Sequence, residues 1–434
     1  MKAFRLLACL LVALPCAALA QGSPATRQNN DVAARVEHVL TTTPLIDGHN
    51  DLPWEIRTKF GNVGNINLDA DTSNLRIKTD NGTREMSLDT DIPRLRAGHL
   101  GAQFWSVWIP PKFAGPKAVE MTLEQIDLVR NMVARYPQTF EMAYTADDIE
   151  RIHKAGRIAC LIGIEGGHQI DNSLAVLREM YALGARYMTL THWKNTAWAD
   201  SANDKPVHHG LTKFGRAVVH EMNRLGMLVD LSHVSPDTMR DALETSEAPV
   251  IFSHSGVRAL VDNPRDVPDD VLRMVAKNHG IVMVNFYPPF VSKAVNEWSA
   301  RHAGAVARFQ ELYSGQPDRA GAALDKWEHA HPRPKATIGM VADQIEHIRK
   351  VAGIESVGIG SDFDGIGTTP KGLDGVDKYP ALFEELARRG WTDEELADLA
   401  GRNLLRVMRQ AEKVARHLQA KEGPSYATIA MDAD

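Results

Sequence analysis

Residues 45–51 read LIDGHND, a short apolar run that leads into His49 and Asp51. Side chains alternate between the two faces of a β-strand, so residues two apart point to the same side. The imidazole of His49 and the carboxylate of Asp51 would therefore face one space at the end of a strand. Zinc-type divalent metals accept nitrogen and oxygen ligands together. Such a pair is also common in solvated loops, so its meaning depends on the strands that follow.

Seven further apolar runs bounded by turn residues follow along the chain, and each is predicted to form a strand. Most of them are apolar almost throughout, which is typical of parallel strands buried on both faces. The stretches between them carry apolar residues three and four positions apart and are predicted to be helices. The strands predicted in chain order are 44–46, 103–109, 158–164, 187–191, 226–231, 249–253, 280–286 and 356–361, and the helices are 174–183, 213–225, 236–243, 271–276 and 340–351.

This alternation of eight strands with helices predicts an α/β fold, a (β/α)8 TIM-type barrel. Asp237 and Asp269 are interpreted as capping residues at two helix starts. Two long connections, 57–98 and 287–338, would leave from the carboxyl ends of strands, where both are expected to shape a pocket. Residues 414–434 are expected to form a helix followed by a loose tail.

Side chains that ligate metals follow five more of the predicted strands. Because a barrel carries its active site at the carboxyl ends of its strands, these side chains are predicted to meet His49 and Asp51 in one place. Any single histidine there more often bonds a backbone carbonyl, but charged groups gathered in a buried mouth are costly unless they pair or bind a metal. The set therefore predicts a metal centre. Its members are Glu165, His192, His233, His254 and the stretch SDFDG at 361–365.

Six other histidines are left out of the predicted centre. They fall after a turn, in a polar loop, on a helix or in the long second connection, where a solvated imidazole needs no ion. They are His99, His208, His209, His220, His329 and His331.

The composition is that of an ordinary globular protein, with 44% hydrophobic and 24% charged residues in a chain of 434. The formal net charge of -6 is small for this length, and no long basic run occurs. Nucleic acid is therefore not expected as a partner. A single domain over 21–415 is predicted, with 416–434 as a C-terminal tail.

The N-terminus has the pattern of a secretory signal peptide. Basic residues precede an apolar run at 6–14, and ALA at 18–20 matches the small-x-small cleavage pattern. We expect residues 1–20 to be removed and the product to be secreted across the inner membrane into a bacterial periplasm, with no permanent membrane anchor. Cys160 would be the cysteine that the mature chain keeps, so no intrachain disulfide is expected.

Eight strings form a characteristic series along the chain. They are DGHNDLPW at 47–54, LRAGHLGAQFWSVW at 95–108, IGIEGGHQI at 162–170, LTHWKNTAWADSA at 190–202, VDLSHVS at 229–235, FSHSGVRAL at 252–260, NPRDVPDD at 263–270 and GIGSDFDG at 358–365. This series resembles the membrane dipeptidase family, also called renal dipeptidase, within the metal-dependent amidohydrolase superfamily. The resemblance implies a (β/α)8 barrel with a binuclear zinc centre, two Zn²⁺ per subunit, that hydrolyses dipeptides.

The resemblance also implies a role for each residue of the centre. Five residues would hold the metals and three would act on the substrate. The implied metal ligands are His49 and Asp51 for one zinc, His233 and His254 for the other, and Glu165 as the bridge; the implied substrate residues are His192 at the carbonyl, Arg265 at the C-terminal carboxylate and Asp362 as the catalytic aspartate.

The implied metal ligands and substrate residues could together supply what peptide hydrolysis needs. Two zinc ions can bind a bridging water and lower its pKa from about 15.7 towards 7, and an ionised Asp362 can pass the water's proton to the departing nitrogen. Arg265 would pair with a free carboxylate through two hydrogen bonds, which favours dipeptides; its alternative is a salt bridge with Asp266, Asp269 or Asp270. The resemblance also implies tolerance of C-terminal D-residues and opening of β-lactam rings.

Two other hypotheses stay open. The same metal pair would serve another amidohydrolase activity, such as deacylation of N-acyl-D-amino acids or lactone hydrolysis. A metal-stabilised binding protein without catalytic activity is the hypothesis from another class, and Asp362 and His192, which have no metal-binding duty, argue against it. A homodimer is the assembly considered for this chain.

Overall fold

The structure, a computed structural model, describes residues 24–79 and 82–432. Its strands are short and connected mainly by helices, as the alternating pattern predicts. Numbered in chain order, the strands are β1 Leu45–Asn50, β2 Leu75–Thr79, β3 Gly82–Met86, β4 Leu100–Trp108, β5 Phe140–Met142, β6 Ile158–Glu165, β7 Ala185–Thr189, β8 Leu228–Asp230, β9 Ile251–Ser255, β10 Ile281–Val284 and β11 Val357–Ile359.

Eight of these strands run parallel and close into a barrel. The order around the ring is β4, β1, β11, β10, β9, β8, β7 and β6, and β6 pairs with β4 to complete it. Every residue of β1, β6 and β9 is buried, as is typical of parallel strands that are covered on both faces. The predicted (β/α)8 barrel is confirmed.

Three strands were not predicted from the sequence. The strand β5 is three residues long and extends the sheet beside the start of β6. The strands β2 and β3 form an antiparallel hairpin inside the connection 57–98. Their sequences, LRIKT, GTREM and FEM, contain no continuous apolar run of the kind by which the barrel strands are recognised.

Helices fill the connections, and each of the five predicted helices is present with its ends within two residues of the predicted ones. They are α1 Pro24–Thr42, α2 Leu52–Glu55, α3 Ile92–Ala97, α4 Pro116–Arg135, α5 Ala146–Lys154, α6 Leu174–Ala182, α7 Lys213–Leu225, α8 Pro236–Thr245, α9 Asp269–Asn278, α10 Pro288–Val291, α11 Lys293–Leu312, α12 Pro317–Ala330, α13 Ile338–Ala352, α14 Tyr379–Arg388, α15 Asp393–Ala397 and α16 Asn403–Lys421. Single 3-10 turns lie at Val63–Asn65, Gly167–Ile170, Ile354–Ser356, Val376–Lys378 and Ile429–Asp432, and π-helical turns at Ile56–Phe60 and Asp398–Arg402.

The predicted capping roles of Asp237 and Asp269 are wrong. The N-cap of α8 is Ser235, whose hydroxyl accepts a backbone N–H of the first turn, because Pro236 occupies the first helical position. The helix α9 follows Pro268, with Asp269 as its first residue. Both carboxylates lie in the first turn, where they offset the partial positive charge of the helix start.

The structure describes the C-terminal segment as far as residue 432, but not the first 23 residues. The predicted signal peptide, 1–20, lies outside the described residues. The last helix, α16, continues past position 415, and the segment after it returns to the start of α7, where Thr212 and Phe214 donate hydrogen bonds to Asp432. Within the described ranges, no helix has both the length and the apolar character that crossing a membrane requires.

A large ring crosses the barrel interior below the carboxyl ends of the strands. Tyr187 is fully buried and packs against Phe104, with 5.1 Å between the ring centroids. A Cβ atom on Gly163 would lie 1.9 Å from Cζ of Tyr187, so the ring has room only because residue 163 is a glycine.

We expect the substitution Gly163→Ala to lower the free energy of unfolding by about 1–3 kcal/mol, because the Tyr187 ring must leave a close-packed position. Urea titration measures the effect. Gly304→Ala, inside α11, is the control: a Cβ there has no neighbour within 4 Å, and alanine should stabilise the helix by about 0.5–1 kcal/mol. Similar effects of the two substitutions would contradict this packing.

Candidate metal centre

The carboxyl ends of the barrel strands bring together all seven residues that the sequence placed at or beside the centre. His49 and His254 lie within strands, and Glu165 is the last residue of β6. The others lie just beyond strand ends: Asp51 directly after β1, and His192, His233 and Asp362 each three residues after β7, β8 and β11.

Glu165 lies at the middle of this cluster and faces a different set of groups with each oxygen. Its Oε2 atom is 3.5 Å from Nε2 of His49, and that nitrogen is 3.2 Å from Oδ2 of Asp51. Its Oε1 atom is 2.9 Å from Nε2 of His233 and 3.4 Å from Nε2 of His254. The carboxylate therefore separates two ligand sets and belongs to both.

The donor atoms fit divalent cations. Nε2 of His49 is buried and has no hydrogen-bond partner. Nε2 of His233 and Nε2 of His254 lie only 2.9 Å apart and both face Glu165, so a shared cation satisfies both nitrogens. Three groups place their ligand atoms within 4.8 Å of one another: His49, Glu165 and His254; Glu165, His192 and His233; and His49, Asp51 and Asp362.

The protonation states favour ligation. Burial lowers the pKa values of His233 and His254 well below the usual range of histidine, so both imidazoles are neutral and offer lone pairs. Burial opposes ionisation of Glu165, but the charge of His49 and the imidazoles of His192, His233 and His254 around it hold its pKa well below the usual range. His233 and His254 thus offer neutral nitrogen donors beside an ionised carboxylate, a combination that suits zinc-type metals.

Hydrogen bonds behind the ligands orient the imidazoles. Nδ1 of His49 lies 2.8 Å from the Tyr187 hydroxyl, and Nδ1 of His254 lies 2.8 Å from Oγ of Ser253. The Ser253 hydroxyl in turn donates to Oδ2 of Asp230 at 2.6 Å. A proton on Nδ1 of each ring leaves Nε2 as the ligand atom. These supporting residues are not recognisable in the sequence, because they lie inside strands and have ordinary strand side chains.

Asp362 and His192 border the ligand cluster. Oδ1 of Asp362 is 3.9 Å from Nε2 of His49, and Asn285 donates to its Oδ2 at 2.9 Å. Burial, reinforced by Asp51 and Glu165, raises the pKa of Asp362 well above its usual range, against the opposing charge of His49. Its φ of 65° is left-handed, a strained conformation for a residue other than glycine that is typical of functional sites.

The negative charge of Glu165 does not keep His192 protonated, because burial outweighs it. Its Nε2 atom is 3.5 Å from Oε1 of Glu165, and its Nδ1 atom is buried without a hydrogen-bond partner. Burial lowers its pKa to about 3, so the ring is neutral near pH 7. A neutral imidazole can donate one N–H without repelling a nearby cation.

Arg265 is buried, with 1% of its surface exposed, beneath the loop that follows β9. Its Nη2 atom donates to the carbonyl of His254 at 3.3 Å, but Nε and Nη1 have no partner. The alternative salt bridges are not formed: Asp269 pairs with His347 and Asp270 with Arg240, and both carboxylate oxygens of Asp266 lack hydrogen-bond partners. Two buried donors of Arg265 therefore remain available for an anion.

A cavity of about 340 Å³ opens above the cluster, a size that suits a small molecule. Arg265 does not line it. Three tryptophans do, and sequence analysis gave them no role. The lining residues are Asp51, Trp54, Glu55, Trp108, Glu165, His192, Trp193, His233, His254, Asp362, Asp364 and Gly365.

The histidines excluded from the prediction do not join the cluster. His208 contacts the carbonyl of Thr196, and His220 pairs with Glu422 on the surface. His331 stacks on Trp327 in the insertion.

An eight-stranded parallel barrel with imidazoles and carboxylates gathered at the carboxyl ends of its strands defines a metal-dependent hydrolase. The sequence profile of the family described as "Membrane dipeptidase (Peptidase family M19)" matches residues 33–422, and the chain belongs to this family. It is accordingly a metallopeptidase of the dipeptidase type, a hydrolase that acts on peptide bonds.

Known proteins agree with this assignment. Dipeptidase 3 of Macaca fascicularis is 42% identical over 406 residues, which cover 92% of this chain and 71% of that protein. Dipeptidase 3 of Rattus norvegicus is 44% identical over 378 residues, covering 86% of this chain and 66% of that protein.

Solved structures share the fold. The probable dipeptidase PvdM from Pseudomonas aeruginosa superposes with a TM-score of 0.73 at 23% identity and covers 89% of this chain and 100% of that one. A metallo peptidase from Rhodobacter sphaeroides, liganded with a phosphinate mimic of the dipeptide L-Ala-D-Ala, superposes with a TM-score of 0.68 at 22% identity and covers 85% of this chain and 99% of that one.

We expect Ser253→Ala to weaken metal affinity about 10–100-fold, because the His254 ring loses the hydrogen bond that fixes its orientation. Titration of the metal-free protein with buffered zinc measures the affinity. Ser314→Ala, at an exposed position after α11, is the control and should leave the affinity unchanged. Equal affinity of the Ser253 variant and the wild type would show that this hydrogen bond does not support the ligand.

Proposed function

We propose that the protein is a binuclear zinc dipeptidase that hydrolyses the peptide bond of free dipeptides. His49 and Asp51 would hold one ion, His233 and His254 the other, and Glu165 both. The observation that carries the proposal is the position of the Glu165 carboxylate between the two ligand sets. One of its oxygens faces His49, and the other faces His233 and His254. When bound, two zinc ions would lower the pKa of a water from about 15.7 towards 7 and polarise the scissile carbonyl.

Proton transfer is assigned to Asp362. It takes the proton of the attacking water and delivers it to the leaving nitrogen, which must depart as an amine. Asn285 fixes the carboxyl group through Oδ2 and leaves Oδ1 on the side of His49. The raised pKa of Asp362 suits a group that must hold a proton between the two steps.

Two residues position the substrate. His192, neutral near pH 7, donates an N–H to the carbonyl oxygen as negative charge develops there. Arg265 holds the C-terminal carboxylate through two parallel hydrogen bonds, one of them from Nε or Nη1, and the lack of a partner for both of these atoms supports this role. A carboxylate held at a fixed distance from the metals restricts hydrolysis to substrates that end one residue after the scissile bond.

Two finer features complete the proposal. We infer tolerance of a D-residue at the C-terminal position, for which the L-Ala-D-Ala mimic bound to the Rhodobacter sphaeroides peptidase is the support. The cellular setting proposed is a bacterial periplasm, reached by removal of 1–20, and the support is the sequence pattern of that segment. A homodimer without a permanent membrane anchor remains the proposed assembly.

A substrate panel with metal removal tests the proposed function. Dipeptides with L- or D-residues at the second position are expected to be hydrolysed, to lose turnover when a chelator removes the metal, and to regain it with zinc. Turnover of N-acyl-D-amino acids or lactones in place of dipeptides would favour another amidohydrolase activity. A zinc-loaded protein without any turnover would favour a binding protein.

The substitution Asp362→Asn is expected to lower kcat about 10²–10⁴-fold, because the amide cannot carry the proton. Zinc content should stay at the wild-type level, since asparagine keeps the shape and can still accept the hydrogen bond of Asn285. Asp325→Asn, on the exposed helix α12, is the matched control. Near-normal turnover of the zinc-loaded Asp362 variant would exclude the proton-transfer role.

A further inference from the structure

The position of Arg265 determines where the first residue of a bound dipeptide lies, an inference that rests on the proposed function. Arg265 follows β9, and β4 is four strands from β9 in either direction around the ring. A substrate that extends from the β9 loop across the metal ligands therefore places its N-terminal residue at the end of β4 and of its neighbour β1. The cavity residues at these two ends include Trp108, the last residue of β4, and Trp54, on α2 after β1.

Trp54 and Trp108 form a rigid aromatic corner. Their rings meet edge to face, with 4.6 Å between centroids and an angle of 87°. The ring of Trp54 packs on the small cluster of Ile109, Ala118 and Met121, which fixes it from behind. Both tryptophans are only partly covered and line the cavity. An apolar surface of this kind, in a cavity whose other lining residues are mostly carboxylates and imidazoles, suits an apolar side chain.

The α-ammonium of the same residue needs an anionic partner. It is two bonds from the scissile carbonyl carbon, so it would lie a few Å from bound metal ions, whose positive charge would repel it. Asp51 and Asp362 are committed to metal binding and proton transfer. Of the carboxylates that line the cavity at this side, Glu55 and Asp364 remain.

Asp364 is the better placed of these two carboxylates. Glu55 already contacts Lys59. Oδ1 of Asp364 accepts the backbone N–H of Asp89 at 2.7 Å, whereas its buried Oδ2 has no hydrogen-bond partner. Burial and the neighbouring Asp89 raise the pKa of Asp364 to about 7, so a cation beside it would favour its ionised form. The next residue, Gly365, packs so closely that a Cβ there would lie 2.1 Å from Oδ2 of Asp51, which keeps this loop against the ligand cluster.

We propose that Trp54, Trp108 and Asp364 form the subsite for the first residue of the dipeptide. The aromatic corner binds an apolar side chain, and Asp364 binds the free α-ammonium. The preferred substrate class is therefore a dipeptide with an unmodified N-terminus and an aliphatic or aromatic first residue.

The side-chain half of the proposal is tested by Trp54→Ala with L-Leu-L-Ala and Gly-L-Ala. The wild type should show a kcat/KM for L-Leu-L-Ala about tenfold or more above that for Gly-L-Ala. The variant should reduce this ratio to within about threefold of unity, mainly through KM, and should hydrolyse Gly-L-Ala at about the wild-type rate, because glycine does not reach the corner. Trp54→Phe, which keeps a smaller ring in the packed position, should give an intermediate ratio, and Trp327→Ala, on α12, is the control.

The ammonium half is tested by Asp364→Asn, which keeps an acceptor for the N–H of Asp89. KM for L-Leu-L-Ala should rise about tenfold, with kcat and zinc content nearly unchanged, since a charge-assisted hydrogen bond is lost. The wild type and the variant should have about the same KM for the deamino analogue 4-methylpentanoyl-L-alanine, because this analogue lacks the amine. Asp374→Asn, in the neighbouring cavity, is the matched control.

The outcomes separate this inference from the proposed function. If dipeptides are hydrolysed but Trp54→Ala slows L-Leu-L-Ala and Gly-L-Ala equally, the aromatic subsite is wrong and the dipeptidase assignment stands. If Asp364→Asn affects the deamino analogue as strongly as the dipeptide, the ammonium contact is wrong. If the zinc-loaded wild type hydrolyses no dipeptide, the proposed function fails and the subsite fails with it.

Discussion

Concentration of charge at the carboxyl ends of the strands is the constraint on which the rest of this structure depends. The two oxygens of Glu165 have four imidazole nitrogens at 2.9 to 3.5 Å, and all of these groups are buried. Such a set is stable only when cations and fixed hydrogen-bond partners satisfy it. In a closed barrel, backbone hydrogen bonds hold neighbouring strands about 4.8 Å apart. This spacing fixes how closely the side chains at the strand ends approach one another.

Deeper in the barrel, two buried carboxylates have all their hydrogen-bond partners within the protein. Asp47 accepts the N–H and the hydroxyl of Ser361 and the hydroxyl of Tyr379, which ties β1 to the end of β11. Asp230 accepts the N–H and the hydroxyl of Ser253 and so joins β8 to β9. Because the protein supplies their hydrogen bonds, these carboxylates have a structural role. Buried atoms without a partner, such as Nε2 of His49, instead indicate where other molecules bind.

The sequence predicts the barrel and the cluster well, because each ligand follows an apolar run and parallel strands carry their ends to one place. His49 and Glu165 are recognisable on that ground alone. Tyr187 and Ser253 are not, since nothing in a strand sequence tells which hydroxyl will meet which imidazole across the ring. The capping role given to Asp237 fails for a similar reason: local composition offers several carboxyl and hydroxyl groups, and the proline at 236 decides between them. The roles assigned to the individual ligands remain predictions.

Ring closure by the last strand has a consequence for biosynthesis. Asp47 and Ser361, whose contact joins the first strand to the last, are 314 positions apart in the chain. Ligands of the first set come from near the start of the chain, and the aspartate beside them comes from its final third. A nascent polypeptide therefore exposes single imidazoles and carboxylates for most of its synthesis, and the ring that brings them together closes only when the eighth strand docks. Metal bound at the proposed centre would therefore be a sign that the barrel has closed.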